Sequence, residues 1–262
     1  MLRPRIIPCL LVSNKGLVKT VKFNDPKYVG DPINAVRIFN EKETDELMIL
    51  DIDATRLNKE PDYKSIEFWA SECRMPLCYG GGIKTVEQAQ RIFSLGVEKI
   101  ALSSEAVYNT KLISKLAKRV GRQSVVVVLD VKKKIFGGYE LFTHNGSKST
   151  GLNPVDFAKK CTQEGAGEIV VNSIDKDGTM KGYDLNLIRK IRDVIDTPMT
   201  VLGGAASLDD IGELINEFGI IGASAGSLFV FKGKYKAVLI NYPSTTNKDS
   251  LVASNLSINN NI

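Results

Sequence analysis

The stretch GGIKTVEQAQRIFSLGVEKIALSSEAV, residues 81–107, opens on a glycine pair and runs through an amphipathic segment to a third glycine. It then closes with a short apolar run and small polar residues. GGAASLDDIGELINEFGIIGASAGSLF, residues 203–229, has the same plan with one extra residue in the second copy. Two shorter matches fall at a similar offset: ELMILDID (46–53) with EIVVNSID (168–175), and CLLV (9–12) with VLDV (128–131). Similarity at a fixed offset is the signature of a repeated architecture. Residues 1–120 and 121–242 therefore read as two halves of one structure.

Within each half, apolar runs alternate with stretches of helical spacing. The strand candidates are 5–12, 46–52, 76–79, 99–103, 125–131, 168–173, 198–202 and 222–226. TVEQAQRIFSLG (85–96), NTKLISKLAKRVG (109–121) and NPVDFAKKCTQEG (153–165) are amphipathic and end in glycine, as helix C-termini commonly do. Four strand–helix units per half make eight, which predicts an α/β fold of the (β/α)8 (TIM) barrel type over residues 1–242. A doubly wound open sheet is the alternative. PSTTNKDSLVASNLSINNNI (243–262) is polar and aperiodic and is expected to be a disordered C-terminal tail.

The composition suits a soluble chain with a substantial core: 262 residues, 43% apolar and 25% charged. No apolar run reaches the roughly 18 residues of a membrane span. MLRPRIIPCLLV at the N-terminus lacks a small-residue cleavage site, so no signal peptide is expected. Four cysteines (Cys9, Cys73, Cys78, Cys161) without CxxC spacing read as reduced thiols in a cytoplasmic protein, not as a metal site or disulfides. The net charge of +5 is spread along the chain, with KKK (132–134) its one tight basic run. That pattern argues against nucleic-acid binding and suits an anionic small substrate.

In such a barrel the chemistry sits at the C-terminal ends of the strands. There the repeat supplies YGGG (79–82) and LGGA (202–205), each followed one unit later by small residues opening a helix, LSSEA (102–106) and SAGSL (224–228). Glycines let backbone N–H groups approach an anion, and a helix N-terminus adds partial positive charge. An isolated glycine pair reads more simply as a tight turn. Two pairs at matching repeat positions, each with its small-residue partner, predict two opposed phosphate sites. DKDGT (175–179) adds a further glycine loop and the carboxylate of Asp177.

Together RIIPCLLV, ELMILDID, YGGGIKTVEQA, VEKIALSSEAV, NSIDKDGTMKGYDL and LGGAASLDD resemble the cyclase subunit of imidazole glycerol phosphate synthase, over about residues 3–242. The resemblance implies a barrel that uses ammonia from a glutaminase partner, as a heterodimer, on a ribulosyl ribonucleotide bearing two phosphates. The implied products are imidazole glycerol phosphate and an aminoimidazole carboxamide ribotide, in histidine biosynthesis; no metal or cofactor is implied. Carried over by position, Lys19 matches a flexible-loop lysine over the substrate and Asp130 a catalytic aspartate. Gly81, Gly82, Ser103 and Ser104 fall on one phosphate site. Asp177, Gly178, Thr179, Gly203, Gly204, Gly226 and Ser227 fall on or beside the other. Arg5, Glu46, Lys99 and Glu168, each at a strand start, match a ring of charges that gates ammonia entry at the opposite end. Salt bridges capping the barrel would use the same residues.

The resemblance also exposes a gap. VVVVLDV (125–131) carries Asp130 at its end, but in IIPCLLV (6–12) Leu11 stands where the family normally has a first aspartate. Ring closure needs one proton removed and another delivered, a task two carboxylates of unequal pKa divide between them. Leucine does neither. Asn172 and Leu202 replace a common threonine and serine, and Asp53 is an added carboxylate that could substitute for the missing one. Three functions follow: a paralogue with a different acceptor, of the kind that accompanies amidino-sugar (surface polysaccharide) pathways; an authentic histidine-pathway cyclase; or a non-catalytic subunit that conducts ammonia. A bisphosphate-sugar isomerase of the related two-half-barrel family would leave the charged ring without a purpose. His144, in a loop-like stretch, reads as a hairpin-stabilising side chain more readily than a general base, and Trp69 and Cys9 read as packing.

Overall fold

Apolar side chains alternate in two directions along each parallel strand, and that alternation builds two cores. In the computed structural model, which describes residues 3–256, eight parallel strands form the framework. They are β1 (Arg5–Ser13), β2 (Leu47–Asp51), β3 (Leu77–Gly80), β4 (Lys99–Leu102), β5 (Val125–Lys133), β6 (Glu168–Ser173), β7 (Met199–Leu202) and β8 (Gly222–Ala225). Each pairs with the next, and β8 returns to β1 with Arg5 opposite Gly222 and Pro8 opposite Ala225. The sheet is therefore a closed (β/α)8 barrel, as expected, and not an open sheet. Ile7, Cys9, Met48, Cys78, Ala101, Val126, Val128, Val170 and Leu202 point inward and fill it. Their neighbours one residue away, such as Ile6, Leu10, Ile49, Ile100, Val127 and Val171, point outward against the helices.

Those helices are α1 (Pro32–Glu41), α2 (Tyr63–Glu72), α3 (Val86–Ser94), α4 (Lys111–Val120), α5 (Pro154–Glu164), α6 (Leu185–Arg192), α7 (Leu208–Phe218) and α8 (Thr245–Leu256). The two copies of the sequence repeat start their helices alike: Thr85 with Gln88 on α3 and Ser207 with Asp210 on α7 each form a reciprocal capping box. Trp69 is buried on α2, a packing role. No helix among the described residues is long and apolar enough to cross a membrane.

Two expectations need correction. The stretch 243–262 is not a tail throughout, because Thr245–Leu256 is the eighth helix of the ring. It packs beside α7, and Lys248 Nζ donates to Asp45 Oδ1 (2.8 Å) and to the Glu43 carbonyl (3.1 Å). The remainder of that stretch, 257–262, lies outside the described residues. Likewise the segment that carries Lys19, expected to be a flexible loop, is not an open loop. Gly16–Val21 and Asn24–Gly30 form an antiparallel ribbon whose first strand pairs with β1, Leu11 opposite Val18. A second ribbon continues β5 past the barrel, pairing Asp130 with Phe142 and ending at the turn that carries His144.

Candidate functional site

The strands' C-terminal ends surround a cavity of about 500 Å³. Of the residues expected there, Leu11, Lys19, Gly81, Gly82, Ser103, Ser104, Asp130, Asn172, Asp177, Gly178, Gly203, Gly204, Gly226 and Ser227 all line it. Asp130 lies at its base. Ser103 Oγ donates to Asp130 Oδ2 at 2.8 Å and Asn172 Nδ2 to Oδ1 at 2.9 Å. Burial pushes the Asp130 carboxyl up to about 6, against the two hydrogen bonds that favour its charged form. Such a group exchanges a proton near neutral pH, which is what general acid–base work requires.

Part of the cavity wall is apolar. Leu11 and Leu50, register partners on β1 and β2, pack with Leu202 on the inner core of the barrel. Leu11 supplies no carboxylate there. Asp53 does not supply one, for it is absent from the cavity wall. Its oxygens accept from Ser13 Oγ (2.7 Å), Asn14 N (2.9 Å) and Arg56 Nη2 (2.8 Å), which together outweigh burial and hold it below the usual carboxylate range. The carboxylate that does line the cavity on this side is Asp51, raised by burial, with Oδ1 accepting from the backbone N–H groups of Asp53 and Ala54. Its signal was present in LDID, two residues before Asp53.

The glycine loops prove to be shaped first by their neighbours. A methyl group on Gly82 would lie 2.8 Å from the Lys59 carbonyl, and one on Gly203 would lie 2.8 Å from the Ser173 carbonyl. Both have positive φ, 71° and 96°, so a tight chain path alone demands glycine. The helices opened by the small-residue partners are brief, Ser104–Tyr108 and Ser227–Val230. What remains for a ligand is the backbone N–H groups of Gly82, Ser103, Ser104, Gly203, Gly204, Gly226 and Ser227. Among the described residues these have no acceptor. Orphan donors around a cavity are the arrangement an oxyanion satisfies.

Lys19 reaches the second of these donor groups from the ribbon. It is buried, its Nζ donates to the Cys9 carbonyl at 2.8 Å, and a methyl group on Gly226 would overlap it. Burial lowers its pKa, and Asp177 acts in the other direction. Asp177 itself serves the ribbon: it accepts from Thr20 Oγ1 (2.7 Å) and Phe23 N (3.1 Å). Thr179 does not line the cavity, because its hydroxyl is bonded to the Lys176 carbonyl at 2.8 Å. His144 stands on the rim, edge-on to Tyr108, in a left-handed turn (φ 53°). Burial, with Lys148 and Lys84 nearby, lowers its pKa.

At the other end of the barrel Arg5, Glu46, Lys99 and Glu168 form one closed network. Arg5 bonds Glu46 and, at 2.7 Å, Glu168; Lys99 bonds Glu46 at 2.8 Å and Glu168 at 2.9 Å. Burial and the facing Glu168 push the Glu46 carboxyl up, whereas Arg5 and Lys99 overcome burial to hold Glu168 down. Between the network and Asp130 the barrel interior is lined mainly by the apolar residues named above, two cysteines among them, together with the buried hydroxyl residues Thr200 and Ser224.

The sequence profile described as Histidine biosynthesis protein matches residues 5–236. The chain is 62% identical, over 95% of its length and 96% of the relative's, to a Vibrio vulnificus protein provisionally named imidazole glycerol phosphate synthase subunit hisF3. It is 60% identical to a Leptospira interrogans protein provisionally named imidazole glycerol phosphate synthase subunit HisF, over 96% and 99% of the two chains. A Pseudomonas aeruginosa relative, provisionally named subunit hisF2, is 51% identical over 95% of this chain and 99% of its own.

Proposed function

Because the chain belongs to the histidine biosynthesis protein family, as a HisF-like cyclase subunit of imidazole glycerol phosphate synthase, we propose that it directs ammonia through its barrel onto a phosphorylated sugar or ribonucleotide. A HisH-type glutaminase, docked at the end that carries Arg5, Glu46, Lys99 and Glu168, is the ammonia source in this reading. The observation that carries it is the placement of a proton-exchanging carboxyl, Asp130, at one end of a mostly apolar barrel interior closed at the other end by a charged network. Ammonia is neutral and small enough to share that interior; hydrated ions are not.

In this mechanism the orphan N–H groups at the two glycine loops hold the phosphate ends of the substrate, with Lys19 over one of them. Asp130 takes and returns the proton that ring closure moves, its protonated form kept accessible by burial and its position fixed by Ser103 and Asn172.

A specific observation favours a second reading of the acceptor. Leu11, Leu50 and Leu202 line the cavity with apolar side chains, and the carboxyl on that side, Asp51, is already bonded to the backbone N–H groups of Asp53 and Ala54. That suits a paralogue whose acceptor differs from the histidine-pathway substrate, such as an amidino-sugar precursor, or a subunit that conducts ammonia without using it. Ammonium-driven turnover of the ribulosyl ribonucleotide by the purified protein, run beside Leu11→Asp, tests the histidine-pathway reading. Turnover by the unmodified chain supports that reading. Turnover only by Leu11→Asp, or by neither, removes it and leaves the altered acceptor or the ammonia-conducting subunit.

A further inference from the structure

Four charged side chains do not complete the ring at the barrel's lower end, and β7 and β8 are among the strands that contribute none of them. On those strands Thr200 and Gly222 are register partners, and Gly222 is in turn the partner of Arg5. Thr200 is wholly buried, and its Oγ1 donates to Glu168 Oε1 at 2.5 Å, the oxygen that also accepts from Arg5. A methyl group on Gly222 would overlap that hydroxyl, so the missing side chain on β8 is the space the hydroxyl occupies. The two glutamates are therefore held unequally. Among the described residues Glu46 meets only the cations Arg5 and Lys99, which it shares with Glu168, whereas Glu168 has in addition a neutral donor on a strand.

We infer that Thr200 is a positioning residue of the charged ring: its hydroxyl pins Glu168 as the fixed side, so that the ring opens at Glu46, and Gly222 is the space that admits it. A serine or threonine hydroxyl on β7 is suited to this because it binds a carboxylate without adding a charge that ammonia would have to pass. The inference rests on the reading that ammonia crosses this barrel. With Thr200 replaced by an isostere lacking the donor, both glutamates are held only by the cations, and opening is no longer confined to one side.

Glutamine-driven and ammonium-driven turnover are compared in the complex with its glutaminase for Thr200→Val, Thr200→Ser and Gly222→Ala, with free ammonium measured alongside. The expected result is a roughly fivefold fall in the glutamine-to-ammonium ratio for Thr200→Val, with ammonium appearing in the bulk, and recovery in Thr200→Ser. Gly222→Ala, which displaces the hydroxyl, should resemble Thr200→Val. Equal losses of both reactions, or a Thr200→Ser no better than Thr200→Val, would overturn the inference. If the unmodified complex uses no ammonia at all, the proposed function fails separately. The pinning is then decided by carboxyl NMR of the isolated barrel: Thr200→Val must move the Glu168 titration upward and leave Glu46 nearly in place, and an unmoved Glu168 overturns it.

Discussion

Asp130 and Asn172 stand side by side in register on β5 and β6, and the amide nitrogen of Asn172 donates to Asp130 Oδ1 at 2.9 Å. The same amide's oxygen is buried with no donor. The pair is therefore poised for exchange: replacing the carboxylate by an amide would let Asn172 turn over and use its idle oxygen.

This gives a prediction for Asp130→Asn that separates stability from function. The folded-state pKa of Asp130 is raised from 3.8 to about 6, so the unfolded chain releases this proton first as pH rises. The resulting penalty is absent below about pH 4, grows between pH 4 and 6, and is full above that. Its upper bound is roughly 3 kcal/mol. Asp130→Asn should abolish ammonia-dependent turnover and leave phosphate binding intact. It should raise stability at pH 7 by about 1–3 kcal/mol, and the gain should vanish near pH 4. Thermal unfolding across that range checks it; a pH-independent difference would show that the carboxyl is not held high.

Lys99 bridges Glu46 and Glu168 at 2.8 and 2.9 Å, with 17% of its side chain exposed. Lys99→Met keeps the stem and removes the ammonium group, leaving two buried carboxylates to share Arg5. We expect a loss of roughly 3 kcal/mol in stability and altered glutamine-driven turnover, with ammonium-driven turnover retained in the folded fraction. Parallel kinetics with the two nitrogen sources decide it. Proportional losses would assign Lys99 to folding alone.

The barrel strands were legible because inward and outward faces of a closed parallel barrel are both apolar, so each strand reads as a near-continuous run, as in Val125–Leu129. The charged ring was legible too, since Arg5, Glu46, Lys99 and Glu168 interrupt that pattern at strand starts. Thr245–Leu256 was not, because a helix made of TTNKDSLVASNL is rich in poor helix formers and is held mainly by tertiary contacts such as Lys248 with Asp45. The ribbon after β1 hid for a similar reason. Its partners are Leu11 on one side and Asp177, 157 positions away from Thr20, on the other. The direction of Asp53 depended on local bonds to Ser13, Asn14 and Arg56, which no spacing rule contains.

Asp177 ties the ribbon to the mouth through Thr20 Oγ1 and the Phe23 N–H, and its carbonyl accepts from Lys22 N at 3.0 Å. Asp177→Ala should release the tip of the ribbon while the barrel stays folded. Amide hydrogen exchange over residues 16–30 should accelerate about tenfold or more, the equivalent of losing one or two charge-assisted bonds. The strand amides of β5 and β6 serve as the reference. Unchanged exchange in the ribbon would mean that its pairing with β1 suffices to hold it.

The eighth helix offers the most direct check on the architecture. Lys248 is 5% exposed, and its ammonium group bonds Asp45 Oδ1 and the Glu43 carbonyl while lying 5.1 Å from the Tyr242 ring. Asp45 in turn accepts from the Ile6 N–H at 2.9 Å, and the Tyr242 hydroxyl donates to the Ile6 carbonyl at 2.8 Å. One buried ion pair thus joins α8, the start of β1 and the turn before β2, which is the seam where the last unit of the barrel meets the first. Lys248→Met preserves the apolar stem and strands the Asp45 charge beside Arg3, a largely exposed partner 3.4 Å away. The expected cost is roughly 3 kcal/mol, seen as a fall of several degrees in the unfolding midpoint. Lys234→Met, on an exposed hairpin, is the control and should leave the midpoint where it is. Equal midpoints for the two variants would mean that the Lys248–Asp45 pair contributes nothing to closing the barrel.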